Sequence, residues 1–154
     1  MSDPTAQTDL ITADLVDLDL TATDRDGVAR QLGERLVAAG RVTDLEGFLA
    51  DVRAREAQMP TGLPNGIGIP HCRSAHVTRA TLGFGRTPGV DYGAEDGPAR
   101  LIFLIAAPEG GGSEHMTILA KLARKLVNAS FRESLLTAPD AESVVAIVSE
   151  GVGR

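Results

Sequence analysis

Residues 101–106 read Leu101-Ile102-Phe103-Leu104-Ile105-Ala106, an apolar run with no polar interruption. A strand that does not alternate with polar residues is typical of the centre of a sheet covered on both faces. Pro98 closes the loop before this run, and Pro108 to Gly112 end it on the other side. The run therefore predicts a central strand, and the rest of the chain is interpreted around it.

Three further segments have the pattern of strands. Residues Leu15–Leu20 alternate apolar and polar side chains with the period of a half-buried strand. A short apolar segment at 67–69 ends at Pro70-His71, and another covers residues 80–85, followed by a loop from Pro88 to Pro98. Together with the central run, these segments predict one early strand and three later ones.

Two helices are predicted between the early strand and the later ones. The first begins after the N-cap Thr23 and ends at Gly40, and the second begins after Asp44 and runs to about Glu56. Apolar residues recur at helical spacing on their inner faces: Val28, Leu32, Leu36, Leu45, Leu49 and Val52.

Three helices are predicted after the central strand. Ser113 is the expected cap of the first, which places His115 in its first turn. Ser130 is the expected cap of the second, and the third begins at Asp140. The predicted order is strand, two helices, three strands and three helices.

The composition describes one globular domain. The 154 residues are 43% hydrophobic and 23% charged, which allows a core without disulfides or structural metal. We expect a disordered tail at residues 1–7, a single domain at 8–150, and a tail or the start of a linker at 151–154. Cys72 is the lone cysteine, so it cannot form an internal disulfide.

The net charge of −6 argues against nucleic-acid binding. Ten of the acidic residues and only four basic ones lie in the first 50 positions. A general nucleic-acid binder takes its affinity from a basic surface, so the acidic balance argues against that class. We expect neither secretion nor membrane spanning, because we find no basic-then-apolar leader pattern and no apolar run of about 18 residues. We therefore expect a cytoplasmic protein that does not insert into a membrane.

His71 is the first candidate for chemistry. The segment 59–66 contains two prolines and two glycines and predicts a turn rather than a helix or a regular strand. His71 then follows Pro70 at a strand end, where the proline restricts the backbone before the histidine. A neutral imidazole is a nucleophile near neutral pH because its ordinary pKa is about 6.5. On the local sequence alone, a structural histidine bonded to the backbone has equal weight.

His115 and Arg55 could accompany it at an anion site. The first turn of a helix offers free N–H groups and the positive end of the dipole, which suits an anion near His115. Arg55 precedes the turn segment and could donate to phosphate oxygens. The alternatives are a surface histidine and a solvated helix end.

Three other types of site use residues of the same segments. His71, Cys72, His76 and His115 could ligate zinc, but their spacing matches no common zinc site. Cys72 is a poor nucleophile partner for His71, because neighbours on a strand point to opposite faces, so a buried thiol is expected. The glycines at 110–112 lack the lysine of a phosphate-binding P-loop. We predict no metal and no cofactor.

The segment Arg55-Glu56 and residues 60–71 resemble the enzyme IIA component of the bacterial sugar phosphotransferase system, in its fructose/mannitol class. The family's motif residues correspond to a set of five positions here: Arg55, Glu56, Thr61, Pro70 and His71. A second family histidine, which opens a helix after the long apolar strand, corresponds to His115. The resemblance covers about residues 10–150.

This resemblance implies an α+β fold, a three-layer α/β/α sandwich with a central mixed sheet. It also implies that His71 takes a phosphoryl group at Nε2 from the histidine-containing phosphocarrier protein and passes it to a cysteine of a IIB domain. Membrane IIC would take part only indirectly. His115 and Arg55 would surround the phosphoryl group, while Thr61, Glu56 and Pro70 would belong to the binding site.

The residues around the motif refine these expectations. Pro-Thr-Gly-Leu and Pro-His-Cys-Arg favour the fructose branch, although Cys72 stands where many members have glycine. An apolar rim of Ile67, Ile69 and Met116 is expected around His71, for short-lived docking. The rival interpretation is a nitrogen-regulatory type of binding module, whose phosphorylation state controls a partner. The sugar, the oligomeric state, and whether this is a free subunit or one domain of a longer transporter stay open.

Overall fold

The computed structural model describes residues 10–110 and 114–152. In chain order its elements are β1 (Val16–Asp17), α1 (Arg25–Ala38), α2 (Leu45–Gln58), β2 (Gly62–Leu63), β3 (Ile67–Gly68), β4 (His71–Ser74), β5 (Thr81–Val90), β6 (Ala99–Pro108), α3 (Glu114–Leu126), α4 (Ala129–Thr137) and α5 (Ala141–Val152), with a 3₁₀ turn at Ala13–Leu15. None of the described helices is long and apolar enough to cross a membrane. The predicted tail at 1–7 and the predicted cap Ser113 lie outside the described residues.

A mixed sheet forms the middle layer, as predicted. Its strand order is β1-β5-β6-β3-β2, and β4 also pairs with β6. β1 is parallel to β5, β5 is antiparallel to β6, and both β3 and β4 are parallel to β6. β6 is therefore the central strand, with β5 on one side and β3 followed by β4 along the other.

Both faces of β6 are buried, which confirms the interpretation of the run 101–106. Leu101, Phe103 and Ile105 belong to one apolar cluster, which includes side chains from α3, α4 and α5. Ile102, Leu104 and Ala106 belong to a second cluster, which includes the inner faces of α1 and α2. Since successive side chains of a strand point to opposite faces, one strand contributes to two cores. The result is the expected three-layer arrangement.

The described residues between α2 and α3 form five strands where three were predicted. β2 pairs antiparallel with β3, although the segment 59–66 was expected to contain no strand. Asn65 and Gly66 have φ of 72° and 77°, the left-handed conformation that these two residue types tolerate, and so they turn the chain back. The hairpin of β2 and β3 therefore comes shortly before His71 in the chain.

Two strand lengths were predicted wrongly. β5 runs to Val90 and includes Pro88, which lies in an irregular stretch between Arg86 and Val90 where no ladder hydrogen bond from its nitrogen is needed. β1 covers only Val16–Asp17 of the predicted strand 15–20, because the Asp17 carboxylate accepts the Asp19 N–H (2.9 Å) and turns the chain.

Two helix caps also differ from the prediction. Asp24, not Thr23, caps α1: its carboxylate accepts the Gly27 N–H (2.7 Å). Asn128, not Ser130, caps α4 by accepting the N–H groups of Ser130 and Phe131. α1 therefore begins one residue later than predicted, and α4 begins two residues earlier. In each helix a carboxylate or amide oxygen, instead of a hydroxyl, accepts the N–H groups of the first turn.

The remaining helix ends extend the predicted ranges slightly. Asp44 is at the N-cap position of α2 as predicted, but its side chain makes no capping bond. α2 continues to Gln58, past Glu56. Asp140 accepts the Ser143 N–H (2.8 Å) at the start of α5, and α5 continues through Val152, beyond the predicted domain end at residue 150.

Candidate functional site

His71 lies at the junction of two strands that share one neighbour. β3 and β4 both pair in parallel with β6, and Pro70 separates them. Proline has no N–H to give to the ladder, but its carbonyl accepts the Ile105 N–H (2.9 Å), which keeps the chain aligned with β6. His71 therefore opens β4, whereas the sequence predicted a position at the end of a strand. Its side chain is half-buried.

The His71 imidazole is fixed by a neighbouring carbonyl group. Its Nδ1 lies 2.9 Å from the backbone oxygen of Ile69. A carbonyl oxygen can only accept, so Nδ1 carries the proton in this hydrogen bond. In the neutral ring the lone pair is then on Nε2. The geometry consequently leaves Nε2 as the nucleophilic nitrogen.

Glu56 and Thr61 fasten the turn segment to α2. The Glu56 carboxylate accepts the Thr61 N–H at 2.8 Å and the Thr61 hydroxyl at 2.7 Å. The Thr61 carbonyl in turn accepts the Ile69 N–H at 3.1 Å. These two predicted binding residues therefore support the backbone that carries His71.

Arg25 completes this network and was not predicted from the sequence. Its Nη1 donates to Glu56 at 3.1 Å and its Nε donates to the Asp91 carbonyl at 2.7 Å. The guanidinium also lies over the Tyr92 ring, 5.8 Å from the centroid. No local motif marks Arg25, because its partners are distant in sequence; an arginine in the first turn of a helix, where acidic residues are favoured, is the one available signal.

A cleft of about 470 Å³ opens beside this network. Arg25, Glu56, Pro70 and Tyr92 contribute to its walls. Tyr92 is 1% exposed, and its hydroxyl has no hydrogen-bond partner among the described residues. Burial raises the pKa of Tyr92, and the nearby Glu56 charge raises it further. The phenol is therefore neutral at physiological pH.

Arg55 and His115, the two other residues expected around the phosphoryl group, lie on α2 and α3. Arg55 is in the last turn of α2, half-buried, and its Nη1 is 3.5 Å from the Met59 carbonyl. Between Arg55 and His71 there is no hydrogen bond within the described part of the chain. His115 is in the first turn of α3, as predicted, while its side chain lies outside what the structure describes.

The apolar rim differs from the prediction. Ile67 and Ile69 are buried in the first cluster, because they face the core from either side of Gly68. Met116 is 53% exposed, as expected for a rim residue. Met59, which was not predicted as a rim residue, is 63% exposed and is the first residue of the turn segment. Two exposed methionines thus flank the segments that contain the motif residues.

Cys72 is buried, as predicted. Burial, assisted by the charge of Asp51, raises the pKa of its thiol to about 12. The His76 ring packs against Gly47 of α2. Among the side chains that the structure describes, no three His, Cys, Asp or Glu residues are grouped as metal ligands would be.

Comparison with known proteins identifies close relatives. The family model for the phosphoenolpyruvate-dependent sugar phosphotransferase system, EIIA 2, matches residues 9–151. A fructose-specific EIIA component from Haloferax volcanii is 36% identical over 141 residues, covering 90% of this chain and 92% of the relative. A fructose-specific EIIABC component from Bacillus subtilis is 33% identical over 145 residues, covering 93% of this chain but only 23% of the relative.

Solved structures give the same fold. The nitrogen regulatory protein IIA-Ntr from Neisseria meningitidis superposes with a TM-score of 0.83 at 34% identity, covering 93% of this chain and 99% of that one. The mannitol enzyme IIA from Escherichia coli, solved in complex with phosphorylated enzyme IIB, has a TM-score of 0.76 at 28% identity, covering 92% of this chain and 99% of that one. The similarity therefore extends over nearly the whole chain.

Proposed function

The chain belongs to the EIIA 2 family of the phosphoenolpyruvate-dependent sugar phosphotransferase system, and from this premise we propose that His71 is its phosphoryl acceptor. The family supports a phosphoryl-carrier role. The observation that supports the choice of His71 is the hydrogen bond between its Nδ1 and the Ile69 oxygen, which leaves Nε2 free. The donor would be the phosphorylated histidine-containing phosphocarrier protein, and the acceptor a cysteine of a IIB domain.

The chemistry is a pair of in-line transfers. In the first, the Nε2 lone pair forms an N–P bond while the N–P bond of the donor phosphohistidine breaks, and the donor nitrogen keeps the electron pair. In the second, the IIB thiolate forms a P–S bond while the bond to Nε2 breaks. Phosphoryl transfer has a loose transition state, so the protein's work is to position and to stabilise charge.

The Ile69 carbonyl serves both steps. Phosphorylation of Nε2 leaves the ring with its proton on Nδ1 and with more positive charge than the neutral imidazole has. A carbonyl oxygen 2.9 Å from Nδ1 stabilises that charge and prevents the ring from rotating. When phosphate leaves, the same contact returns the ring to the tautomer that can accept again.

Arg55 and His115 are the proposed donors to the phosphoryl oxygens. Among the described residues Arg55 makes only a long contact, with the Met59 carbonyl, so its guanidinium is available to turn toward an arriving anion. His115 is in the first turn of α3, where N–H groups without helical partners favour an anion. Thr61, Glu56 and Pro70 hold the backbone of the site.

Docking would involve the exposed methionines. Met59 and Met116 offer flexible apolar side chains next to the motif segments, which suits partners that bind briefly and differ in shape. We propose that the protein acts in the cytoplasm and passes its phosphoryl group on for the uptake of fructose or a related sugar. Membrane IIC would take part only through the IIB domain. The fructose-specific names of the two relatives support this choice.

A regulatory role is the second candidate. The IIA-Ntr structure is as similar in sequence as the fructose relatives are, and a nitrogen regulatory protein of Pseudomonas aeruginosa is 36% identical over 123 residues. In this role phosphorylation of His71 would control binding of a partner protein. The two functions differ in what happens after labelling: only the first requires transfer to a IIB cysteine.

The proposal is tested by intact-mass measurement after incubation with phosphoenolpyruvate, enzyme I and the phosphocarrier protein. The wild type is expected to gain one acid-labile phosphoryl group and His71→Ala none, while the matched histidine variant His76→Ala labels normally. Full labelling of His71→Ala would refute the assignment. Addition of a fructose-class IIB domain should remove the label, and a label that persists would favour the regulatory role.

A further inference from the structure

We propose that Arg25 is a positioning residue for His71 and that it acts through Glu56 and Thr61. The inference concerns a residue of α1, outside the motif that contains the phosphoryl acceptor. Its kinetic consequence rests on the proposed function, whereas its structural consequence, the tautomer of His71, does not.

Arg25 joins three separate parts of the chain. It begins α1, donates from Nη1 to Glu56 in the last turn of α2 (3.1 Å), and donates from Nε to the Asp91 carbonyl beyond β5 (2.7 Å). Its guanidinium plane is further held over the Tyr92 ring. An arginine anchored on three sides loses little additional entropy in holding one carboxylate in place.

Glu56 needs this cation because its carboxylate is nearly buried. The side chain is 10% exposed and accepts three hydrogen bonds, one from Arg25 and two from Thr61. A carboxylate removed from water without an opposite charge is strongly disfavoured. Without Arg25, the Glu56 carboxylate would turn outward toward water, and this movement would release Thr61.

Thr61 transmits the position of Glu56 to His71. The Thr61 carbonyl accepts the Ile69 N–H (3.1 Å), and the Ile69 carbonyl accepts from His71 Nδ1 (2.9 Å). Release of Thr61 would therefore free the peptide that orients the imidazole. The loss would show in the tautomer of His71 before any reaction takes place.

α1 also provides a matched control. Arg30 bonds both oxygens of Glu46, at 2.9 and 3.1 Å, and so forms a second ion pair between α1 and α2. Unlike Glu56, Glu46 is exposed and makes no described bond to the turn segment. Loss of this pair removes the same charges between the same helices without touching the path to His71.

The test compares Arg25→Gln, Arg25→Lys and Arg30→Gln, each first checked for native folding by circular dichroism and thermal unfolding. Two-bond ¹H–¹⁵N spectra of the imidazole report the His71 tautomer in the unphosphorylated protein. Arg25→Gln should convert the single Nδ1–H form to a mixture and slow phosphoryl acceptance about tenfold, since small misplacements of a reacting group have large effects on rate. Arg25→Lys should partly restore both the single tautomer of His71 and the rate of phosphoryl acceptance. Arg30→Gln should match the wild type in both measurements.

A double variant tests whether Arg25 acts through Glu56. Arg25→Gln combined with Glu56→Gln should be no slower than Glu56→Gln alone, since residues on one path do not add. Additive losses, or a folded Arg25→Gln protein with an unchanged tautomer, would overturn the proposal. If the wild type accepts no phosphoryl group but Arg25→Gln still changes the tautomer, the proposed function fails and the positioning role stands.

Discussion

Thr61 shows how a single hydroxyl supports the site. Its Oγ1 donates to the nearly buried Glu56 carboxylate at 2.7 Å. Thr61→Val keeps the shape but removes this donor to a charged acceptor, so we expect a loss of about 2 kcal/mol in the free energy of unfolding. Thr61→Ser keeps the hydroxyl and should lose clearly less. Urea unfolding of the three proteins measures this, and equal stability of Thr61→Val and wild type would contradict it.

Cys72 should be unreactive in the folded protein. Burial and the Asp51 charge raise the pKa of its thiol to about 12, so almost no thiolate is present at pH 8. Iodoacetamide should alkylate it slowly in buffer and rapidly in denaturant, with mass spectrometry as the measurement. Equal rates in both conditions would contradict the burial.

The same thiol predicts a pH dependence of stability. A thiol pKa that is higher in the folded protein stabilises the fold below the ordinary value of 9.0, and that contribution is lost as the pH rises toward about 12. Wild type should therefore lose more stability than Cys72→Ala between these limits, as measured by denaturant unfolding at several pH values. Parallel losses in the two proteins would show that Cys72 does not titrate with folding.

At the level of single residues, the sequence predicts those that have a local sequence signature. It misses those whose contacts are distant in sequence. Pro70-His71 stands out because a proline and a histidine at a strand end have a local signature. Glu56 and Thr61 were identified only by resemblance, and the structure gives them a supporting position under the His71 backbone. Arg25 and Tyr92 were missed because their contacts join positions far apart in sequence.

Among the elements, the start of α4 gives the sharpest test. Asn128 accepts the N–H groups of Ser130 and Phe131, so Asn128→Ala should lower the free energy of unfolding by about 1 kcal/mol. Ser130→Ala is the matched control and should have little effect, since this serine lies inside the helix. A larger loss for Ser130→Ala than for Asn128→Ala would restore the cap predicted from the sequence.

The types of the elements were easier to predict than their ends. Long periodic helices and the apolar strand β6 were found because hydrophobic periodicity reports burial directly. The short strands β2 and β4 were not, because pairing of two or four residues depends on partners elsewhere in the chain. Pro88 misled the prediction for β5, since a proline is tolerated where the ladder is already interrupted.

For the whole molecule, β6 couples the two cores. Phe103 packs edge-on to Phe84 in one core, while the adjacent Leu104 packs in the other. Phe103→Ala should reduce the free energy of unfolding by about 3–5 kcal/mol. Hydrogen exchange should show that the slowest amides of α1 and of α5 lose protection equally. Loss confined to α3, α4 and α5 would mean that the two layers unfold independently.

The relay also depends on the whole fold, because α1, α2, the turn segment and β6 all meet at the backbone of His71. The most direct test is NMR spectroscopy of the ¹⁵N-labelled protein after phosphorylation by phosphoenolpyruvate, enzyme I and the phosphocarrier protein. We expect ³¹P coupling to Nε2 of His71, with Nδ1 still protonated against the Ile69 carbonyl. Phosphorus on Nδ1, on His76 or His115, or no phosphorylation by an active upstream mixture, would contradict the assignment of His71 Nε2 as the acceptor.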